Sequence, residues 1–93
     1  MKISDKKKEK ICEQILSLLY SVSPKQIFTI NIAQEIARDE EFVKKLLLNL
    51  KDKNLVVEVK KNPLGKAYIR RSRWRLNDKV YDFYKNKNSL SNT

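Results

Sequence analysis

The hydrophobic pattern of this chain changes period sharply at Leu55, and that switch most narrows the folds open to it. Upstream, apolar residues recur every three to four positions, the spacing of a helix face. Downstream, Leu55-Val56-Val57-Glu58-Val59 is a β-branched run, followed by the turn-forming stretch Lys60 to Lys66 and a second strand-like run from Ala67 to Leu76. Pro63 and Gly65 between two strand-like runs predict a β-hairpin with a tip of about five to seven residues. Helices followed by a hairpin make an α+β chain, and its 93 residues fit a single small domain with a core over about residues 5–86.

Asp5 to Val22 reads as an amphipathic helix, with Ile11, Cys12, Ile15, Leu16, Leu18, Leu19 and Val22 opposed by Lys8, Glu9, Glu13, Gln14 and Ser17. It stops before Ser23-Pro24. The apolar face spans about 160° at 100° per residue, more than one neighbouring helix covers, which leaves part of it for a second copy of the chain. Ile27-Phe28-Thr29 has the length of a three-residue strand only. Asn31, with Gln34 three residues on, has the form of an N-cap opening a short helix through Ile32, Ala33, Ile36 and Ala37. Asp39 repeats the device ahead of Glu40 and Glu41, whose charge suits a helix N-terminus, and Val43, Leu46, Leu47 and Leu50 carry that helix to about Lys53. Beyond the hairpin, Asn77 is placed to cap a short last helix bearing Val80, Phe83 and Tyr84, and residues 87–93 are polar enough to form a disordered tail.

The scarce residues exclude most catalysis. With no histidine and a single cysteine, Cys12, the chain cannot form a Cys/His zinc site, a Ser-His-Asp or Cys-His constellation, or an internal disulfide. One glycine, Gly65, cannot supply a dinucleotide-binding or phosphate-binding loop. The consecutive acids Asp39, Glu40 and Glu41 diverge on a helix start and do not converge on a metal. We therefore expect a protein that is not an enzyme and carries no cofactor. Ile11 to Val22 is interrupted by Glu13 and Gln14 and has no small-residue cleavage site after it, so it is not expected to be a signal peptide; an intracellular, cytoplasmic protein is expected.

The ordered set of elements resembles a known family. The segment INIAQEIARDEEFVKKLLLNLKDKNLVVEV is similar to the winged helix-turn-helix family, and WRLNDKVYDFY is similar to that family's exit from its wing. The match covers roughly residues 10–84: Ile32-Ala33 and Ile36 correspond to the first helix of the motif, Val43, Leu47 and Leu50 to the core side of the recognition helix, and Lys53-Asn54-Leu55-Val56 to the turn into the wing, Asn54 standing where glycine is common. Ala37 departs from the family's preference for glycine, Arg38 from its usual apolar residue, and Val80 from the glycine that often follows the wing. The resemblance implies a three-helix core, a two-stranded hairpin wing and a short C-terminal helix, in a small transcriptional regulator that binds duplex DNA. The Lys, Ile and Asn richness suggests an AT-rich genome of archaeal or viral type.

The charge acquires a place within that frame. Of a net +10, the hairpin residues 55–76 hold seven bases against one acid, Glu58, an excess beyond what discouraging edge-to-edge strand pairing requires. Strand alternation sets Arg71, Arg73 and Arg75 on one face and Tyr68, Ser72, Trp74 and Leu76 on the other. With Lys60, Lys61, Lys66 and Arg70, the arginine face suits phosphate oxygens or a minor groove. On the third helix, Glu41, Phe42, Lys44, Lys45, Leu48 and Asn49 lie off the core side; Lys44 and Lys45 suit guanine edges or phosphates, and Asn49 an adenine edge. The same positions equally suit an ordinary polar helix surface.

Three further features bear on partners. Phe42 and Leu48 put apolar bulk beside the acids Glu40 and Glu41, so a protein-interaction winged helix in a replication, transcription or RNA-processing assembly is the second reading. A homodimer through the first and last helices is expected from their apolar faces, and an anionic membrane partner is not, because the bases concentrate on a hairpin. Lys6-Lys7-Lys8 reads as a solvated helix start, with loose DNA contact as the alternative; Trp74 lies on the inward phase of its strand and Cys12 on an apolar helix face, so both are expected in the core.

Overall fold

The structure is a computed structural model that describes residues 5–60 and 72–91, and side chains as far as Lys87. Its elements are α1 (Asp5–Val22), β1 (Ile27–Phe28), α2 (Thr29–Glu35), α3 (Glu40–Asp52), β2 (Val56–Val59), β3 (Arg73–Leu76) and α4 (Asp78–Ser91). The tip of the expected hairpin, and its second strand before Arg73, lie outside the described residues.

α1 buries Ile11, Ile15 and Leu19, one residue per turn. These three meet Ile32 and Ala33 of α2, the α3 residues Val43, Leu46, Leu47 and Leu50, and Val56, Trp74 and Leu76 of the sheet in one cluster. Each fully buried side chain of this size stabilises the fold by about 1.5–3 kcal/mol. Beside this face, the Tyr20 ring packs 5.5 Å from both Tyr81 and Tyr84 of α4. Cys12 is half-buried at the edge of the cluster and not within it.

The sheet has three antiparallel strands in the order β1-β3-β2, so β3 is central. Val56 pairs with Leu76 and Glu58 with Trp74 in β2, while Ile27 pairs with Trp74 in β1. The two-stranded wing expected from the sequence therefore gains a strand at its base. This third strand also moves the start of α2. The helix begins at Thr29, directly after β1, and its N-cap Phe28 makes no side-chain capping bond. Asn31 lies inside the first turn, so the expected capping box with Gln34 does not form. Thr29 accepts a hydrogen bond from Trp74 Nε1 at 2.8 Å, which fixes the chain at this point through the sheet.

The other caps follow the sequence. Asp39 accepts from the Phe42 amide at 3.2 Å and opens α3; Asn77 Oδ1 accepts from the Lys79 amide at 2.9 Å and opens α4. α4 then continues to Ser91, well past Tyr84 and through most of the tail in which disorder was expected.

Both helices of the motif end in the same six-residue device. After α2, the Arg38 amide donates to the Ala33 carbonyl at 2.9 Å and the Ala37 amide to Gln34 at 3.3 Å; after α3, Leu55 donates to Leu50 and Asn54 to Lys51, both at 2.9 Å. Each requires a left-handed residue, Ala37 at φ 55° and Asn54 at φ 61°. Asparagine tolerates that conformation, whereas a Cβ of alanine costs about 1–2 kcal/mol there. Ala37→Gly should accordingly raise folding stability by about 1 kcal/mol, after allowing for the greater entropy of an unfolded glycine, in urea unfolding at unchanged m-value. A loss of stability in that measurement would contradict the assigned turn.

Candidate nucleic-acid interface

The side of α3 that faces outward is set by the side that packs. With Val43, Leu46, Leu47 and Leu50 buried, Lys44, Lys45, Leu48 and Asn49 are exposed, Leu48 at 39%. Lys44, Leu48 and Lys51 follow one another at helical spacing, while Glu41, Lys45 and Asn49 form the neighbouring row. Asn49 borders a groove against α1 together with Cys12, Leu16, Lys53 and Leu55. Phe42 is half-buried and packs partly against the core, whereas Leu48 is exposed.

The base of the wing shows the expected alternation: Trp74 and Leu76 are buried, and Arg73 and Arg75 lie on the opposite phase of β3. Both arginines are nevertheless tied to the body of the domain. The Arg73 guanidinium stands 4.9 Å over the centre of the Phe28 ring. Arg75 donates to the Leu76 carbonyl at 3.0 Å and pairs with Asp78 at 3.3 Å. Lys60 is exposed at the end of β2. Lys61, Lys66, Arg70 and Arg71 lie outside the described residues, so the expected row of three arginines is not seen whole.

Sequence reasoning missed the cluster that joins α3 to the wing. Glu58 has a side chain only 5% exposed, and its carboxylate accepts from Lys51 Nζ at 2.9 Å and lies 3.8 Å from Lys60 Nζ. The Ser72 hydroxyl donates to its other oxygen. Burial works to raise the Glu58 carboxyl, but the hydrogen bonds from Ser72 and Lys51 and the charges of Lys51 and Lys60 outweigh it and hold the group below 4.5. Lys51 is raised in turn, by its hydrogen bond to Glu58 and by that carboxylate's charge. The only sequence signal was the lone acid in a basic hairpin.

Because the folded carboxyl titrates below its unfolded value, its contribution is present above the unfolded pKa and is lost as pH falls through the folded one. Glu58→Gln should therefore cost about 1–2 kcal/mol at pH 7, and the gap from the wild type should narrow in thermal melts as pH is taken below the carboxyl's ordinary value of 4.5 and through the lowered folded one. A gap that does not narrow on acidification would show that the ionised carboxylate is not what joins the two elements.

Little else among the described residues offers chemistry. There is no group of three His, Cys, Asp or Glu side chains able to hold a metal ion, and no helix is long and apolar enough to cross a membrane. Burial, offset in part by nearby Lys53 and reinforced by Glu9, raises the Cys12 thiol above 9.0, which disfavours the reactive thiolate.

No protein-family model matches the sequence, and no curated protein matches it. Solved structures do share its shape. A variant of MepR from a multidrug-resistant S. aureus clinical isolate superposes with a TM-score of 0.66 at 21% identity, over 82% of this chain and 52% of that one. S. aureus MepR in its DNA-binding conformation gives 0.67 at 22%, over 95% and 65%. A double variant of Lactococcus lactis ZitR in apo form gives 0.62 at 17%, over 90% and 61%. This chain has the winged helix-turn-helix fold. It spans between about half and two thirds of the length of these neighbours. In the terms of that fold, α2 and α3 form the helix-turn-helix, and β2 and β3 carry the base of the wing.

Proposed function

We propose that this winged helix binds duplex DNA as a regulator of transcription, with α3 in the major groove and the wing on the flanking backbone or minor groove. The observation that carries the reading is the exposure of Lys44 and Lys45 on the outward side of α3, the helix that leads into a hairpin whose sequence holds seven bases and one acid. Lys44 and Lys45 reach guanine edges or phosphates and Asn49 an adenine edge. Lys60, Lys61, Lys66, Arg70, Arg71, Arg73 and Arg75 supply positive charge to the backbone contact. The likeness in fold to S. aureus MepR in its DNA-binding conformation supports DNA as the partner.

The protein works as a homodimer through α1 and α4. Phe83 on α4 is 64% exposed, edge-on to Tyr84 and beside the Tyr20 cluster, a large apolar group placed for a second copy. Two-fold symmetry then demands an inverted-repeat site with half-sites about one or two turns apart. Selection from a random duplex pool tests this: an inverted repeat should be enriched. A pool with no enriched sequence would overturn the sequence-reading role of α3, and an enriched single half-site would overturn the dimer. The reading as a protein-docking module would use Phe42 and Leu48 as contacts, and Phe42 gives part of its ring to the core.

A further inference from the structure

Glu58 stands where a negative charge is least useful to a protein that grips phosphate, between the recognition helix and the wing. Its carboxylate is almost wholly buried, yet it engages the side chains of two exposed bases, Lys51 on the last turn of α3 and Lys60 at the end of β2. The Ser72 hydroxyl from the edge of β3 saturates the second oxygen. The acid thus draws one cation from each half of the proposed DNA surface, and the strand pairing of Glu58 with Trp74 fixes where that happens. A carboxylate oxygen and a phosphate oxygen compete for the same ammonium hydrogens. In the free protein, Glu58 takes up the ammonium hydrogens of Lys51 that a backbone phosphate would otherwise accept.

We propose that Glu58 restrains non-specific binding: it holds Lys51 and Lys60, so that these lysines add to the electrostatic grip only where a duplex is seated closely enough for its phosphates to share them. The inference rests on the DNA-binding reading above. It makes Glu58 a positioning residue that sets the ratio of specific to non-specific affinity, without contacting a base itself. A purely structural Glu58 would change stability and leave the salt dependence of binding as it is.

The test is equilibrium binding of the full chain to random-sequence duplex DNA across a range of salt, for the wild type, Glu58→Gln and Lys51→Met. Freeing two lysines should tighten Glu58→Gln by about tenfold near 0.1 M salt and make the slope of log K against log salt steeper by about 1 to 2. Lys51→Met in the wild-type background should change the slope by less than about 0.5, because that lysine is already neutralised; added to Glu58→Gln, it should remove about 0.9 of the gained slope. Trp74 fluorescence and circular dichroism establish that each variant is folded. If folded Glu58→Gln binds with unchanged or weaker affinity, the restraint is refuted; if Glu58→Gln does not fold, a slope loss near 0.9 for Lys51→Met alone refutes it equally. Failure of the wild type to bind duplex DNA at low salt would instead refute the reading beneath it.

Discussion

Trp74→Ala should cost about 3–5 kcal/mol and lower the melting temperature by roughly 15 °C or more, the largest stability effect expected of any single substitution in this chain. The indole is fully buried on the central strand, between β1 and β2, in the cluster formed by all three helices of the core. Its removal opens a cavity and also orphans the Thr29 hydroxyl that receives Nε1 at 2.8 Å. Trp74→Phe retains much of the volume and loses the hydrogen bond, so a smaller cost, about 1–3 kcal/mol, is expected. Circular dichroism melts separate the two. A Trp74→Ala protein that melts within a few degrees of the wild type would contradict the assignment of Trp74 to the core.

Reversal of charge at two exposed positions of α3, Lys44→Glu with Lys45→Glu, should weaken duplex binding about a hundredfold at 0.1 M salt and make the salt slope shallower by about 2. The effect reflects position as well as charge. Both side chains stand on the outward part of a helix whose other side is fixed by Val43, Leu46, Leu47 and Leu50. Neutralising Lys6 and Lys8 on α1 removes charge from a helix start remote in sequence from the proposed surface, and the affinity should stay within about threefold. Fluorescence anisotropy with a labelled duplex reads both sets. Equal losses for the two sets would mean that net charge alone attracts DNA and that α3 has no special place in binding.

What the sequence made legible was local. The three buried turns of α1, the core side of α3, the Asp39 and Asn77 caps, and the left-handed residue at Asn54 all follow from spacings of a few residues. The alternation that buries Trp74 and Leu76 was likewise visible in a short run. What escaped depends on residues far apart in the chain. α2 starts at Thr29 and not at a cap on Asn31 because β1 pairs with β3 and Thr29 bonds Trp74, 45 positions away. The packing of Tyr20 against Tyr81 and Tyr84 likewise joins α1 to α4 across some sixty positions.

The candidate site divides in the same way. Lys44, Lys45 and Asn49 could be placed off the core side of α3 by counting residues, but Phe42 sits near the boundary of that face, and only packing decides that it is half-buried against the core. In the sequence, Lys51 is one more lysine near a helix end. It matters because β2 brings Glu58 to within 2.9 Å of it, and β3 brings Ser72 to the same carboxylate. Arg73 and Arg75 were placed on the correct phase of the strand, whereas their engagement with Phe28 and Asp78 depends on the third strand and on α4.

The central claim is that a basic wing and an outward row of lysines on α3 grip the duplex backbone. Its most direct test is the affinity of the wild-type chain for random-sequence duplex DNA between 50 and 200 mM salt, conditions that span the steep range for phosphate-binding proteins at about these ionic strengths. Six or more phosphate contacts predict a linear plot of log K against log salt with a slope near −5 or steeper, and so about a thousandfold loss of affinity over that range. A flat response, or no binding at the lowest salt, would contradict the account.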